Sequence, residues 1–224
     1  MGKFIDVPVG NISSKSYLSL PASNSGPGVL LLPAWWGLND FFKTLCDRLA
    51  NEGFVALAPD YYGGKVAATV EEAAGLEGSL DHQAVIETSK AIVSFLLAHP
   101  SVNRPRLGVI GFSLGAYLAC SLAPTLPDEI AALVTFYGIG EGKFEDMRAA
   151  VLSHGAERDE WDAAPKDMAA FEAKLKAAGL ETHFYTYPDT DHWFFEENVP
   201  EAYRRDAAQL AWERTLTFLR EKLE

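Results

Sequence analysis

The amino-acid sequence predicts an α/β protein built on a doubly wound, mostly parallel β-sheet with helices on both faces. Short apolar runs, of the length that buried strands have, alternate with longer segments of helical periodicity through most of the 224 residues. Several runs are apolar at consecutive positions, which is typical of strands covered on both faces inside a parallel sheet. A chain of this length buries a sizeable core, and we expect one domain.

The segments predicted as strands fall into two groups. The first two, roughly 3–7 and 15–20, alternate weakly in hydropathy and are separated by turn residues, so we expect a short antiparallel pair. The remaining strands are predicted from apolar runs at 29–32, 54–58, 107–110, 130–137, 149–153 and 183–187. Helical segments separate most of them, so these strands are expected to lie parallel and to be joined by crossovers.

The segments between the strands carry helical signals. Apolar residues keep helical spacing from Phe41 to Leu49, after a candidate N-cap at Asn39 or Asp40 and before Gly53. Further helices are predicted at 69–98 with a break near 75–78, at 113–123, at 166–178 and at 201–224.

The composition restricts the classes of function. The chain carries 19 basic and 31 acidic residues, a formal net charge of −12, which argues against binding to nucleic acid or to an anionic membrane. The N-terminus lacks the apolar core of a signal peptide, and the longest apolar run, Val29–Leu32, is too short to span a membrane. We therefore expect a cytoplasmic protein. Cys46 and Cys120 form no disulfide framework or metal-binding spacing and are interpreted as reduced thiols buried in helices.

The segment Leu107–Ala119 organises the predicted chemistry. A buried strand ends in Gly-x-Ser-x-Gly, with Ser113 at its centre, and the chain continues as an Ala- and Leu-rich helix. Glycines are needed there because Cβ atoms would clash where strand and helix almost touch, and because the turn requires strained dihedral angles. This is the pattern of a nucleophile elbow, which presents a reactive serine in α/β-hydrolases. Ser113 is therefore the predicted nucleophile.

A serine hydroxyl needs an adjacent base, and His192 is the best-placed histidine. His82 and His99 precede the elbow in the helical region and are interpreted as surface residues. His154 ends a strand before any plausible acid, and His183 lies inside a predicted strand. His192 follows the last strand and precedes the last helix, which is where an α/β-hydrolase carries its base.

The acid that orients this base is expected between the 149–153 strand and the 166–178 helix, since the order in α/β-hydrolases is serine, acid, histidine. Asp159 is the best-placed carboxylate in that loop. Glu157, Glu160 and Asp162 compete with it, and the alternative interpretation of all of them is a solvated acidic loop. Asp191 is a poor candidate because the side chains of neighbouring residues usually point apart.

An oxyanion hole needs two backbone N–H groups directed at the developing negative charge. One is expected from Leu114, the residue after the nucleophile. The second is expected from the loop after the 29–32 strand, and Trp35 is the residue we assign to it. The side chains of Trp35 and Trp36 have a competing interpretation as core residues.

These residues together resemble the dienelactone hydrolase family, and the resemblance runs in order over nearly the whole chain. The segments that carry it are Leu30-Leu-Leu-Pro-Ala-Trp-Trp-Gly-Leu-Asn, Ala58-Pro-Asp-Tyr-Tyr-Gly, Gly111-Phe-Ser-Leu-Gly, Phe136-Tyr-Gly, Ala156-Glu-Arg-Asp-Glu-Trp, His192-Trp-Phe-Phe and Ala211-Trp-Glu-Arg-Thr-Leu-Thr-Phe-Leu. The resemblance implies a nucleophile, acid and base at Ser113, Asp159 and His192. It also implies that residues 1–224 form a single α/β-hydrolase domain without a large lid.

The sequence departs from the family members that cleave dienelactone. Those members carry a cysteine at the position of Ser113, and a glutamate at the position of Ala34 helps to activate it. They also hold the substrate carboxylate with arginines, one of them shortly after the catalytic histidine, where this chain has Trp193-Phe-Phe-Glu196. No arginine occurs between Arg48 and Arg104. An anionic lactone is therefore expected to lose its clamp and to meet the Glu196 carboxylate.

The resulting hypothesis is a carboxylesterase that cleaves small, uncharged, fairly apolar esters through a Ser-His-Asp triad and an acyl-enzyme. Aromatic side chains are expected to line its cleft, namely Trp35, Trp36, Tyr61, Phe112, Tyr137 and Trp193. A lactone hydrolase, a thioesterase and a non-catalytic ligand-binding relative are the alternatives. The sequence has no metalloprotease or phosphate-loop motif, so we expect neither a metal nor a cofactor.

Overall fold

The computed structural model describes residues 1–161 and 163–223. Its eight strands form one sheet in the order β1-β2-β4-β3-β5-β6-β7-β8. In chain order they are β1 (Lys3–Val9), β2 (Ile12–Ser19), β3 (Gly28–Leu32), β4 (Val55–Pro59), β5 (Leu107–Phe112), β6 (Ile130–Phe136), β7 (Ala150–Arg158) and β8 (Thr182–Asp191). Strand β2 runs antiparallel to both β1 and β4, and the other pairs are parallel. The predicted doubly wound, mostly parallel sheet is confirmed.

Helices connect the strands and cover both faces of the sheet. They are α1 (Asp40–Asn51), α2 (Val70–Glu77), α3 (His82–Leu97), α4 (Leu114–Leu122), α5 (Pro165–Ala177) and α6 (Arg205–Leu223). The Asn39 side chain caps α1 by accepting a hydrogen bond from the Phe42 N–H, and Asp81 caps α3 in the same way. Of the two predicted N-caps for α1, Asn39 is therefore the residue that caps the helix.

The alternating side chains of the central strands divide the core between the two faces. Val29 and Leu31 belong to an apolar cluster that includes residues of α1 and α6. Leu30 and Leu32 point the other way, into a cluster with residues of α3, α4 and α5. Strand β3 is buried along its whole length, which explains why its sequence is apolar at consecutive positions.

Some predicted ends of strands and helices were wrong. Strands β7 and β8 run on to Arg158 and Asp191, because these two residues still pair after an irregularity in the ladder. Helix α6 begins at Arg205, four positions later than predicted, because 201–202 form a turn and the Arg204 N–H donates to the Phe194 carbonyl instead of joining a helix. The break between α2 and α3 lies at 78–81 rather than at 75–78.

Cys46 in α1 and Cys120 in α4 are buried free thiols, as predicted from the sequence. Burial raises the pKa of both, to about 12 for Cys120, so neither is a reactive thiolate at neutral pH. In the part of the chain that the structure describes, no helix has the length and apolar character needed to cross a bilayer.

Candidate active site

The strand-to-helix turn at Ser113 has the strained geometry that its glycines predict. The Ser113 backbone has φ +51° and ψ −113°, a conformation that a residue with a side chain rarely adopts. A Cβ at Gly111 would lie 2.3 Å from the Gly115 carbonyl oxygen, and one at Gly115 would lie 2.0 Å from that of Leu32. The Ser113 N–H donates to the Phe136 carbonyl at 3.0 Å, so the turn is fixed to β6.

His192 lies within hydrogen-bond distance of both Ser113 and Asp159, so the three predicted residues meet. His192 Nε2 is 3.0 Å from Ser113 Oγ, and His192 Nδ1 is 2.8 Å from Asp159 Oδ2. The side chains of His192 and Asp159 are 3% and 0% exposed. Ser113, Asp159 and His192 follow β5, β7 and the last residue of β8, so the carboxyl edge of the sheet brings together residues 79 and 33 positions apart.

The competing carboxylates point elsewhere. Asp159 receives a second hydrogen bond at Oδ1 from the Trp161 N–H, at 2.9 Å, which fixes the orientation of its carboxylate. Glu157 accepts the Asp189 N–H instead, at 2.8 Å, and Glu160 is exposed. Asp162 lies outside the described residues. Among the described candidates, Asp159 is the carboxylate that reaches His192.

An ion-pair network flanks the aspartate and the histidine. Arg158, the residue before Asp159, places Nε 3.0 Å from Asp191 Oδ1 and Nη2 3.3 Å from Oδ2. Asp191 in turn precedes His192 and also accepts from Arg204 at 3.1 Å. These pairs are about half exposed and so contribute little to stability, but they join the two loops that carry the acid and the base.

The other histidines have separate environments, and one of them also lines the cleft. His154 is fully buried, with Nδ1 2.8 Å from the Tyr187 hydroxyl and Nε2 3.0 Å from Thr215 Oγ1. Burial lowers its pKa to about 3, so it stays neutral. His82, predicted to be a surface residue, lines the cleft above Ser113, where its Nε2 lies 3.1 Å from a Glu77 carboxylate oxygen. The sequence around His82 does not indicate this, because tertiary packing, and not a local pattern, brings α2 and α3 to the cleft.

The predicted oxyanion-hole residues face the same space as the serine. Trp35, Ser113 and Leu114 all line one cleft. The start of α4 approaches the loop that carries Trp35 so closely that Gly115 is needed next to Leu32. Among the described residues, the backbone N–H groups of Trp35 and Leu114 have no acceptor within the protein. Their role as the oxyanion hole stays a prediction.

The cleft that opens at Ser113 has a volume of about 720 Å³, which falls in the usual range for small-molecule sites. Apolar residues of the lining lie beside the serine: Leu114 follows Ser113 in the chain, and the Tyr137 ring is 4.9 Å from that of His192. The ionisable residues Glu77, His82, Glu141, Asp167 and Lys174 line the same cleft. The lining therefore combines apolar and ionisable side chains.

Only some of the predicted cleft aromatics lie in this cleft. Trp35 and Tyr137 line it, whereas Trp193 lines a separate cavity of about 330 Å³ on the other side of His192. Trp36 and Phe112 are core residues, buried among other aromatic rings. The Tyr61 side chain packs on the α3–α5 side of the core. The expectation for these three was wrong because a large aromatic near the strand ends is packed as easily beneath a cleft as along it.

Sequence reasoning placed Glu196 in front of the substrate, and the structure buries it instead. Its side chain is inaccessible, and Oε1 accepts a hydrogen bond from the Tyr137 hydroxyl at 2.8 Å. Burial raises the pKa of Glu196 to about 8, against the lowering effect of the Tyr137 hydrogen bond. Glu196 does not line the cleft, so a substrate does not meet its carboxylate.

The fold and the site together define the class of protein. A mostly parallel sheet in this strand order, with a serine on a strained strand-to-helix turn and its partners at the carboxyl edge, is the architecture of an α/β-hydrolase. Residues 15–223 match the model of the dienelactone hydrolase family. The chain belongs to that family, and its sheet and helices have the family's fold.

Individual relatives align over nearly full length. The chain is 32% identical to the protein usf of Aquifex pyrophilus over 100% of both chains. It is 26% identical to the carboxymethylenebutenolidase of Pseudomonas putida, covering 89% of this chain and 87% of that one. A dienelactone hydrolase-like promiscuous phosphotriesterase from metagenomic libraries superposes with a TM-score of 0.86 at 24% identity, covering 100% and 99% of the two chains. At that identity, the structural likeness concerns the fold.

Proposed function

We propose that the protein is a serine carboxylesterase that cleaves small, uncharged esters through an acyl-enzyme. The observation that carries the proposal is the continuous chain of contacts from Asp159 through His192 to Ser113, at 2.8 and 3.0 Å. A serine hydroxyl becomes a nucleophile when an oriented base takes its proton, and this arrangement is suited to that step.

In the proposed reaction, Ser113 Oγ attacks the ester carbonyl carbon while its proton passes to His192 Nε2. The carbonyl oxygen becomes an oxyanion that accepts hydrogen bonds from the backbone N–H groups of Trp35 and Leu114. Collapse of this intermediate expels the alkoxide leaving group, which takes the proton from His192 and departs as the alcohol. A water molecule then repeats the sequence on the acyl-enzyme and releases the carboxylic acid.

Asp159 acts through the base. It accepts the Nδ1 hydrogen of His192, which leaves Nε2 free to receive the serine proton, and its charge stabilises the imidazolium that forms. The Trp161 N–H holds the carboxylate in place. The aspartate is shielded from water, so its field at the imidazole is weakly screened.

The preference for uncharged substrates is inferred from the residues beside the serine and from the net charge. The side chains next to the serine are apolar, and Ala34, at the position of the family's glutamate, is fully buried. The net charge of −12 disfavours the approach of anions. Lys174, on α5, also lines the cleft, and we assign it no role in holding a substrate at Ser113.

A lactone hydrolase is the second candidate, because relatives of this chain include the carboxymethylenebutenolidase of Pseudomonas putida. A lactone is an internal ester, so the same steps open its ring and leave the alcohol attached to the acyl group. A thioesterase would also use these steps. The three functions therefore differ in their substrates and share the same chemical steps.

The test compares p-nitrophenyl esters of increasing acyl length with dienelactone, together with labelling by a fluorophosphonate probe. We expect the adduct on the peptide that contains Ser113, and kcat/KM for a short p-nitrophenyl ester at least tenfold above that for dienelactone. Ser113→Ala and His192→Ala should each abolish turnover without unfolding the protein. Ser121→Ala, on the same helix α4, is the matched control and should retain full activity.

Two results would overturn the proposal. A strong preference for dienelactone would assign the lactonase function. Absence of both turnover and adduct in the wild-type protein would instead favour a non-catalytic ligand-binding relative.

A further inference from the structure

Glu196 is a buried acid that the proposed reaction does not use. It lies four residues after His192, in the turn that follows the base; its N–H donates to the Trp193 carbonyl at 2.8 Å and its carbonyl accepts from the Val199 N–H at 3.0 Å. Its Oε1 accepts a hydrogen bond from the Tyr137 hydroxyl, and its Oε2 is a buried oxygen without a hydrogen-bond partner among the described residues. A buried polar group of this kind is retained at a cost in stability.

Tyr137 connects this acid to the reacting groups. It follows β6 directly and has φ +35°, in the left-handed region that a tyrosine rarely adopts. Its N–H donates to the His154 carbonyl at 2.7 Å, which fixes the backbone. Its ring is 4.9 Å from the His192 ring, centroid to centroid, at an interplanar angle of 54°. The Tyr137 ring therefore packs against the imidazole, while the Tyr137 hydroxyl donates a hydrogen bond to Glu196.

We propose that Glu196 is a positioning residue for His192: its hydrogen bond to the Tyr137 hydroxyl holds the phenol ring against the imidazole, so that Nε2 stays directed at Ser113. The inference rests on the proposed esterase function. Glu196 does not touch the reacting atoms, because it is inaccessible from the cleft.

The geometry explains why such a support is needed. Asp159 holds the imidazole through one hydrogen bond at Nδ1, and the contact at Nε2 is with Ser113, the group that reacts, so packing contacts must fix the plane of the ring. Trp193 packs on it edge-to-face at 4.8 Å and Trp161 lies at 6.2 Å, while Tyr137, at 4.9 Å, supplies a packing contact from the end of β6. A displacement of the base by about 1 Å lowers the rate of such a reaction about 100-fold.

The experiment compares Glu196→Leu, Glu196→Gln and Tyr137→Phe with the wild type. Glutamine keeps an acceptor for the Tyr137 hydroxyl, whereas leucine removes it and phenylalanine removes the donor. We expect kcat on a p-nitrophenyl ester to fall by about 10- to 100-fold in Glu196→Leu and Tyr137→Phe, with KM within about threefold of the wild type. Glu196→Gln should retain kcat within about threefold.

The double variant Glu196→Leu/Tyr137→Phe should be no slower than the slower single variant, because both changes break the same hydrogen bond. Glu197→Leu is the matched control at the neighbouring exposed glutamate and should leave kcat unchanged. Unchanged kcat in Tyr137→Phe and in a folded Glu196→Leu would overturn the inference. So would a rise in KM alone, or a loss in Glu196→Gln equal to that in Glu196→Leu.

A second readout separates this inference from the proposed function. The NMR signal of the His192 imidazole reports its hydrogen bonds without any substrate, and we expect it to shift in Glu196→Leu and Tyr137→Phe but not in Glu197→Leu. An unshifted signal refutes the positioning role whatever the activity. An active wild type with unaffected variants refutes the positioning role alone, whereas an inactive wild type with a shifted signal refutes the esterase function and leaves the contact established.

Discussion

Replacing Glu196 with glutamine is expected to change how the stability of the protein depends on pH. Burial raises the pKa of this carboxyl from its ordinary 4.5 to about 8. Between those two values, the folded protein keeps a proton that the unfolded chain releases. The free energy of unfolding therefore falls as pH rises from about 4.5 to about 8, and this contribution is constant outside that window. Glutamine resembles the protonated acid and cannot ionise, so the variant lacks this loss.

The size of the effect follows from the same pKa values. At about 1.36 kcal/mol for each unit of pKa, a rise from 4.5 to about 8 corresponds to at most about 5 kcal/mol. Movement of the turn around the ionised carboxylate would recover part of this, so we expect about 2 to 5 kcal/mol. Glu196→Gln and wild type should be similarly stable at pH 5, and the variant should be more stable at pH 9.

Urea unfolding at pH 5, 7 and 9 measures this difference directly. Comparing two proteins that differ at one position cancels the titration of every distant group. Glu197→Gln removes an exposed carboxyl from the same turn and is the matched control for the change from glutamate to glutamine. A pH-independent difference for Glu196→Gln, or one that favours the wild type at pH 9, would refute the reasoning.

Two further predictions test the parts of the site that hold the serine and its base. Asp159→Asn should lower kcat about 10³- to 10⁴-fold with the fold intact, because an amide favours the wrong tautomer of His192; a loss below tenfold in steady-state assays would contradict this. Gly115→Ala should destabilise the protein by more than about 3 kcal/mol and abolish activity, because its Cβ would lie 2.0 Å from the Leu32 carbonyl oxygen. Gly75→Ala, in an open position of α2, is its control and should stabilise by up to about 1 kcal/mol. Equal unfolding midpoints for the two glycine variants would refute the close-approach argument.

The sequence predicted the parts of the fold that local patterns determine. Strand β3 is apolar on both faces because both of its faces are covered, and α1 has an N-cap at Asn39 and a glycine just past its end. The order of serine, acid and histidine also predicted which residues meet, because parallel strands bring their carboxyl ends to one edge. Their catalytic roles stay predictions that await the assays above.

The ends of the last strands and the last helix were harder to predict. The final part of β8 contains Pro188, Asp189 and Asp191, residue types that are depleted in strands. It is extended because Arg158 and Asp191 pair across β7 and β8, in a register that local patterning does not encode. The start of α6 is likewise set by the segment 201–204, whose Arg204 N–H donates to the Phe194 carbonyl. Both are long-range effects.

Glu196 shows how such a long-range effect changes a functional argument. A glutamate four residues after the base is normally exposed, and its burial depends on Tyr137, 59 residues away in the sequence. Charge repulsion by Glu196 therefore gives no reason to exclude anionic substrates. The proposed preference for neutral esters now depends on the apolar residues beside the serine and on the net charge of −12. Of these, only the net charge acts at long range and is screened by salt. Added salt should therefore leave most of the preference for neutral esters in place.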